Sequence, residues 1–229
     1  MAGNPLSNDP RPAILEAVEA SAAALAALST ATGGVFKERD LESVFVVALR
    51  EVAQPILPST GHPVDFAEWQ PRVGRVDVVL KAKSAPPHAF IELKWGAGTL
   101  YNCIWDTAKM AAAIAGSHVE RGFLVAGART AEFDAADGCE FFTDGTWDPL
   151  AHLFQDAYRP HWKKWWHEVK TRPQLLPTVI ETRTVASAAM TIAGAAWTLA
   201  ASEVRVTGTG WTQVPTCAED FGEACSCRR

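Results

Sequence analysis

The run RGFLVAGA, residues 121–128, constrains the fold more than any other stretch of this 229-residue chain. It is almost wholly apolar, bounded by charge, and too short for a buried helix. A strand without polar alternation is covered on both faces, which requires helices above and below a sheet. With 48% of its residues hydrophobic, the chain can fill the core that such a layered domain needs. The expected class is therefore α/β.

The flanking segments agree with this. Residues 12–28 read as an Ala-rich helix, stopped by the glycines of STATGG. A second helix is expected over residues 37–52, with Leu41, Val44, Phe45, Ala48, Leu49 and Val52 on its apolar side and QPILP closing it. GRVDVVLKAK and AFIELKW read as two strands joined by the turn SAPPH. A helix over residues 99–115 then leads into the apolar strand, so the order is helix, strand, strand, helix, strand. Further on, DPLAHLFQDAYRPHWKKWWHEV holds one or two helices with a break at Pro160, and residues 178–214 form a group of strands with Gly-rich turns. The expected organisation is an N-terminal helix and linker (1–34), a core (35–170), a β-rich C-terminal extension (171–215) and a disordered tail (216–229).

A net charge of −5 argues against a protein that coats nucleic acid by bulk attraction. Between residues 69 and 129, however, Arg72, Arg75, Lys81, Lys83, Lys94, Lys109, Arg121 and Arg129 face only Asp77, Glu92, Asp106 and Glu120, a local excess of +4. A positive middle inside an acidic chain suits a site for a polyanion. The five cysteines, Cys103, Cys139, Cys217, Cys225 and Cys227, are odd in number and scattered, which is no disulfide framework. Cys225 and Cys227 stand two apart with no histidine downstream, which is not a zinc spacing. The first helix is interrupted by Glu16, Glu19 and Ser21, and no basic-then-apolar leader precedes it, so the expectation is a cytoplasmic protein with no membrane span. HWKKWWHEVK interleaves Trp162, Trp165 and Trp166 with Lys163, Lys164 and Lys170. That pattern fits a core helix with lysines outside, or a surface that stacks bases and holds phosphates.

The strand AFIELKW carries an oddity. Glu92 and Lys94 stand two apart and so share one face, opposite Ile91, Leu93 and Trp95. Burying a charge pair usually costs more than the attraction returns. Asp77, inside RVDVVL, joins them at one end of the sheet if the two strands pair. Two carboxylates there repel each other and ask for a cation, and oxygen ligands favour a hard one such as magnesium. Lys94 then orients or deprotonates a water, or balances charge growing on a phosphate oxygen.

Asp77, fourteen intervening residues and then Glu92-Leu93-Lys94, set in the helix–strand–strand–helix–strand order, resembles the PD-(D/E)xK nuclease superfamily over roughly residues 37–128. The resemblance implies a restriction-endonuclease-like core, a mixed sheet flanked by helices, here with an additional β-rich C-terminal part. It implies hydrolysis of phosphodiester bonds, with DNA as the leading polymer, by a water activated on Mg²⁺ or Mn²⁺. Asp77 and Glu92 would bind the metal and Lys94 would be catalytic. A further glutamate on the first core helix maps onto Glu38 in E-x-x-L, with Glu42 one turn later as its rival. A polar group on the next helix maps onto Asp106 and Lys109, with Asn102 one turn earlier. Val76 stands where many members have proline.

Two alternatives remain open: an RNA-cleaving member, and a silent module of this fold that binds nucleic acid or a protein partner, as in defence or immunity. A homodimer is also left open. For each residue a structural role competes. Glu92 and Lys94 suit an exposed cross-strand pair, Glu38 and Glu42 a solvated helix face, and Asp106 with Lys109 a helical ion pair.

Overall fold

A computed structural model describes residues 9–34, 36–52, 57–63, 75–81, 87–115, 119, 121–136, 138–148, 174–208 and 210–214. Along the chain run α1 (Arg11–Thr32), α2 (Glu38–Val52), β1 (Leu57–Pro63), β2 (Arg75–Lys81), β3 (Ala89–Trp95), α3 (Cys103–Ala115), β4 (Arg121–Arg129), α4 (Thr130–Ala135), β5 (Gly145–Trp147), β6 (Gln174–Pro177), β7 (Ile180–Ile192), β8 (Ala195–Val206) and β9 (Trp211–Val214). Short 3₁₀ turns occupy Leu100–Asn102 and Cys139–Phe142.

The apolar run is β4, buried along its interior and exposed only at Arg129. It lies inside a mixed seven-stranded sheet of order β1-β2-β3-β4-β8-β7-β5, while β6 and β9 pair separately. β3 and β4 run parallel and every other pairing in the sheet is antiparallel. A parallel pair needs a crossover, and α3 supplies it. Alternate residues of β4 then enter different cores. Phe123 and Val125 pack with α1 and α2 on one face, and Leu124, Ala126 and Ala128 pack with α3 on the other. Helices therefore cover both faces, as the lack of polar alternation in β4 requires.

The C-terminal strands complete this sheet, since β8 pairs with β4 from Gly122↔Val204 to Arg129↔Trp197. The N-terminal helix packs on β7 and α2, burying Ile14, Ala17, Val18, Ala22 and Leu25. By length and composition alone α1 also qualifies to cross a membrane, but that face lies in the core and Glu16 and Glu19 lie outside. It ends at Thr32, four residues beyond the sequence expectation. Thr30 and Thr32 hydroxyls donate back to the carbonyls of Ala26 and Leu28, holding the last turn that their β-branching disfavours. Ser29 Oγ accepts from the amide of Ala193 at 2.9 Å, tying the helix end to the β7–β8 turn, where Ala193 and Gly194 both take positive φ.

Three elements were not expected from sequence. β1 carries Pro58 and Pro63, which reads as loop; it is tolerated because the strand lies at the sheet edge. α4 and β5 are too short to show a period. The expected helices beyond Asp148, the Trp/Lys segment, residues 82–83 at the end of the expected strand GRVDVVLKAK, residues 84–86 of the SAPPH turn and the tail with Cys217, Cys225 and Cys227 lie outside the described residues.

Candidate active site

Strands β2 and β3 pair at Val78↔Ile91, Val79↔Phe90 and Leu80↔Ala89, and the register stops one residue short of Asp77 and Glu92. Beyond that point the carboxylate of Asp77 takes over the ladder: its Oδ2 accepts the amide of Leu93 at 2.8 Å. Asp77 thus caps the open end of the pair, and its side chain, 27% exposed, faces the same end as Glu92 and Lys94. The parallel partner β4 continues alongside, pairing Glu92 with Leu124 and Lys94 with Ala126. Glu92 and Lys94 therefore share the face covered by α3, as the two-residue period dictates.

Lys94 is the centre of the cluster. Its Nζ lies 3.2 Å from Asp106 on α3, 3.8 Å from Glu38 on α2 and 4.0 Å from Asp77 on β2. It also donates to the carbonyl of Leu93 at 2.9 Å. Two helices deliver carboxylates from their first turns, a placement the helix dipole favours. α2 packs on the face of Ile91 and Leu93 and α3 on the opposite face, and each sends a carboxylate to Lys94 near the C-terminal end of β3. Elements from both layers thus supply one site.

Burial alone pulls the Lys94 ammonium toward neutrality, but Asp106, Glu92, Asp77 and Glu38 more than reverse this and hold its pKa well above the ordinary lysine value. Four carboxylates and one ammonium leave the cluster at a formal −3. Lys94 is therefore a fixed cation, and not a base, as long as those carboxylates remain uncompensated. The Glu38 pKa is raised as well, but in its case this favours the neutral form. Desolvation raises its pKa, Asp77 and Asp106 add to this, and Lys94 with a backbone hydrogen bond from Trp95 opposes it. Glu42 is raised too, by burial and then by the charge of Asp77. Cys103, fully buried beneath Asp106, is held as a neutral thiol by burial first and Asp106 second.

Of the residues singled out from sequence, the structure brings together Asp77, Glu92, Lys94, Glu38 and Asp106. Glu38 touches Lys94, whereas Glu42 senses Asp77 from one turn further along α2. Asn102 closes the 3₁₀ turn before α3, and the side chain of Lys109 lies outside the described residues. Of the three ion-pair distances to Lys94 given above, that to Asp106 is the shortest, although sequence spacing offered Asp106 only as a supporting group. The amide of Trp95 toward Glu38 had no signal in the sequence, because backbone donors carry no residue type.

The donors are all carboxylate oxygens, the hard ligands that suit Mg²⁺ or Mn²⁺. As the side chains stand, no three His, Cys, Asp or Glu groups among the described residues are placed to share one ion. The Lys94 ammonium takes the middle position instead. Compared with protein-family models, with curated protein sequences and with solved structures, the chain matches none.

Proposed function

We propose that this cluster is the site of a metal-dependent phosphodiesterase of the PD-(D/E)xK type, acting on nucleic acid with water as nucleophile. The observation that carries the reading is the convergence on Lys94 of carboxylates from three separate elements, Glu38, Asp77 and Asp106, beside the buried Glu92. A structural ion pair needs one partner, and this cluster retains an excess of negative charge that a stable core does not call for.

In this reading Asp77 and Glu92 would hold the cation, with Glu38 on α2 as a third carboxylate. A divalent ion so bound supplies Lewis acidity, lowering the pKa of water and offsetting charge on the phosphate. Lys94, kept protonated, faces the phosphate oxygen on which charge grows as water attacks phosphorus and the bond to the leaving oxygen breaks. Asp106 holds the ammonium in place as a positioning residue. The basic excess of residues 69–129 favours the approach of a polyanion.

One observation favours the alternative of a silent binding module: no described trio of ligands is set for an ion, so Lys94 would serve as a permanent counterion. Incubation of the purified protein with single-stranded and duplex DNA and with RNA, in Mg²⁺, Mn²⁺ or EDTA, separates the two. Divalent-dependent cleavage of any of them supports the hydrolase, and no cleavage in any condition leaves the module.

A further inference from the structure

One residue beyond Lys94 the chain builds an aromatic stack that the chemistry just described does not use. The ring of Trp95, on β3, lies flat on that of Trp197, on β8, with centroids 4.9 Å apart and planes 8° from parallel. Phe36, two residues before Glu38, meets Trp95 edge-on at 6.2 Å. Between the two indoles runs β4, whose Gly127 pairs with Trp95. A side chain at Gly127 would run into the Trp95 ring, so the glycine is what lets the rings close over the strand.

The stack grades from core to surface. Ile91 and Leu93, on the same face of β3, are fully buried and Trp95 is 8% exposed, whereas Phe36 and Trp197, packed against it, are partly exposed. Two exposed cations flank it. Lys37 lies between Phe36 and Glu38, and Arg129, paired in register with Trp197, ends β4. Neither side chain forms an ion pair among the described residues, in contrast to Lys94 and Arg121. Partly exposed aromatics beside exposed cations that form no ion pair among the described residues, at the end of β3 that carries the proposed site, match what unpaired nucleotides require: a flat surface for the base and positive charge for the backbone.

We infer that the partly exposed Phe36 and Trp197, backed by the buried Trp95 and flanked by Lys37 and Arg129, form a base-stacking platform, and that the polymer entering the site is single-stranded nucleic acid. A duplex hides its base faces in its own stack and gains little from such a surface. The inference rests on the phosphodiesterase reading for what the adjacent site does with the strand, but binding can be measured without turnover.

The test is fluorescence anisotropy in EDTA, with labelled oligothymidylate, oligouridylate and a blunt DNA duplex of equal length. The wild type should bind a single strand more tightly than duplex, and the preferred single strand identifies the polymer. Trp197→Leu, checked for fold by circular dichroism and melting, should weaken single-strand binding about tenfold, or about 1.4 kcal/mol, and leave duplex binding unchanged. Arg129→Gln, which removes an exposed side chain and so spares the fold, should weaken it less and lower the salt slope by about one unit. The platform is overturned if the wild type prefers duplex or binds no nucleic acid. It is equally overturned if folded Trp197→Leu, or Arg129→Gln should the former not fold, binds like wild type. Trp197-dependent binding with no cleavage in Mg²⁺ would remove the hydrolase and leave the platform, whereas cleavage by variants that bind normally would do the reverse.

Discussion

Replacing Lys94 by methionine removes the cation from the centre of the cluster and keeps most of the side-chain volume. In the native site Nζ lies 3.2 Å from Asp106, whose side chain is 7% exposed, and 4.0 Å from Asp77, 27% exposed, with Lys94 itself 16% exposed. A pair at such range is worth about 4 kcal/mol at an effective dielectric near 20, before desolvation is subtracted. Stripping one partner from a buried pair costs about 3–5 kcal/mol, because the other charge is left uncompensated. Glu38, 47% exposed, is screened by water and adds little. The Lys94 pKa is raised, so its stabilisation is complete at neutral pH and lost only as pH rises through the elevated value. At about 2–4 °C per kcal/mol for a chain of this size, Lys94→Met in EDTA should melt roughly 6–20 °C below wild type. Mg²⁺ or Mn²⁺ should then restore much of that loss, as a second cation takes the place of the first. Scanning calorimetry with and without divalent ion reads both effects. A variant that melts with the wild type in EDTA, or that is indifferent to the ion, would mean that Lys94 is not the counter-charge of these carboxylates.

Asp77→Ala and Asp77→Asn should both lose cleavage, but only alanine leaves the Leu93 amide without its acceptor; it should cost about 1–3 kcal/mol more in denaturant melts. Because burial raises the Glu38 pKa, the favourable protonated state is lost as pH rises through that value, so Glu38→Gln should out-melt wild type at neutral pH and match it in mild acid. Gly127→Ala should cost about 1–3 kcal/mol by urea unfolding, since the new methyl collides with the Trp95 ring.

The elements legible in the sequence are those whose pattern records their burial. β4 shows its two covered faces in an unbroken apolar run, and α2 shows Leu41, Phe45, Ala48 and Leu49 at helical spacing, all of them buried. The hairpin of β2 and β3 was readable for the same reason, and with it the meeting of Asp77, Glu92 and Lys94. β1 was not, because an edge strand needs only backbone pairing on one side and accepts two prolines. The join of β8 to β4 was hidden as well, since Leu199, Ala201 and Val204 record that they are buried but not against what. In the site, α3's Asp106 could be placed on a helix but not at 3.2 Å from Lys94, because that distance depends on how far the crossover tilts over the sheet. The stack of Trp95 on Trp197 joins residues 102 positions apart and leaves no local trace.

If the carboxylates around Lys94 act, as proposed, in metal-dependent hydrolysis of a phosphodiester bond, single-turnover cleavage must depend on the charge of Glu92, which Glu92→Gln removes. Glu92 is 2% exposed, and glutamine keeps its shape while removing the charge a cation would need. With Mg²⁺ saturating and the variant's fold verified by circular dichroism, the rate should fall by about 10² or more, equivalent to roughly 2.7 kcal/mol of barrier. Cleavage by folded Glu92→Gln at the wild-type rate would place the chemistry at another site.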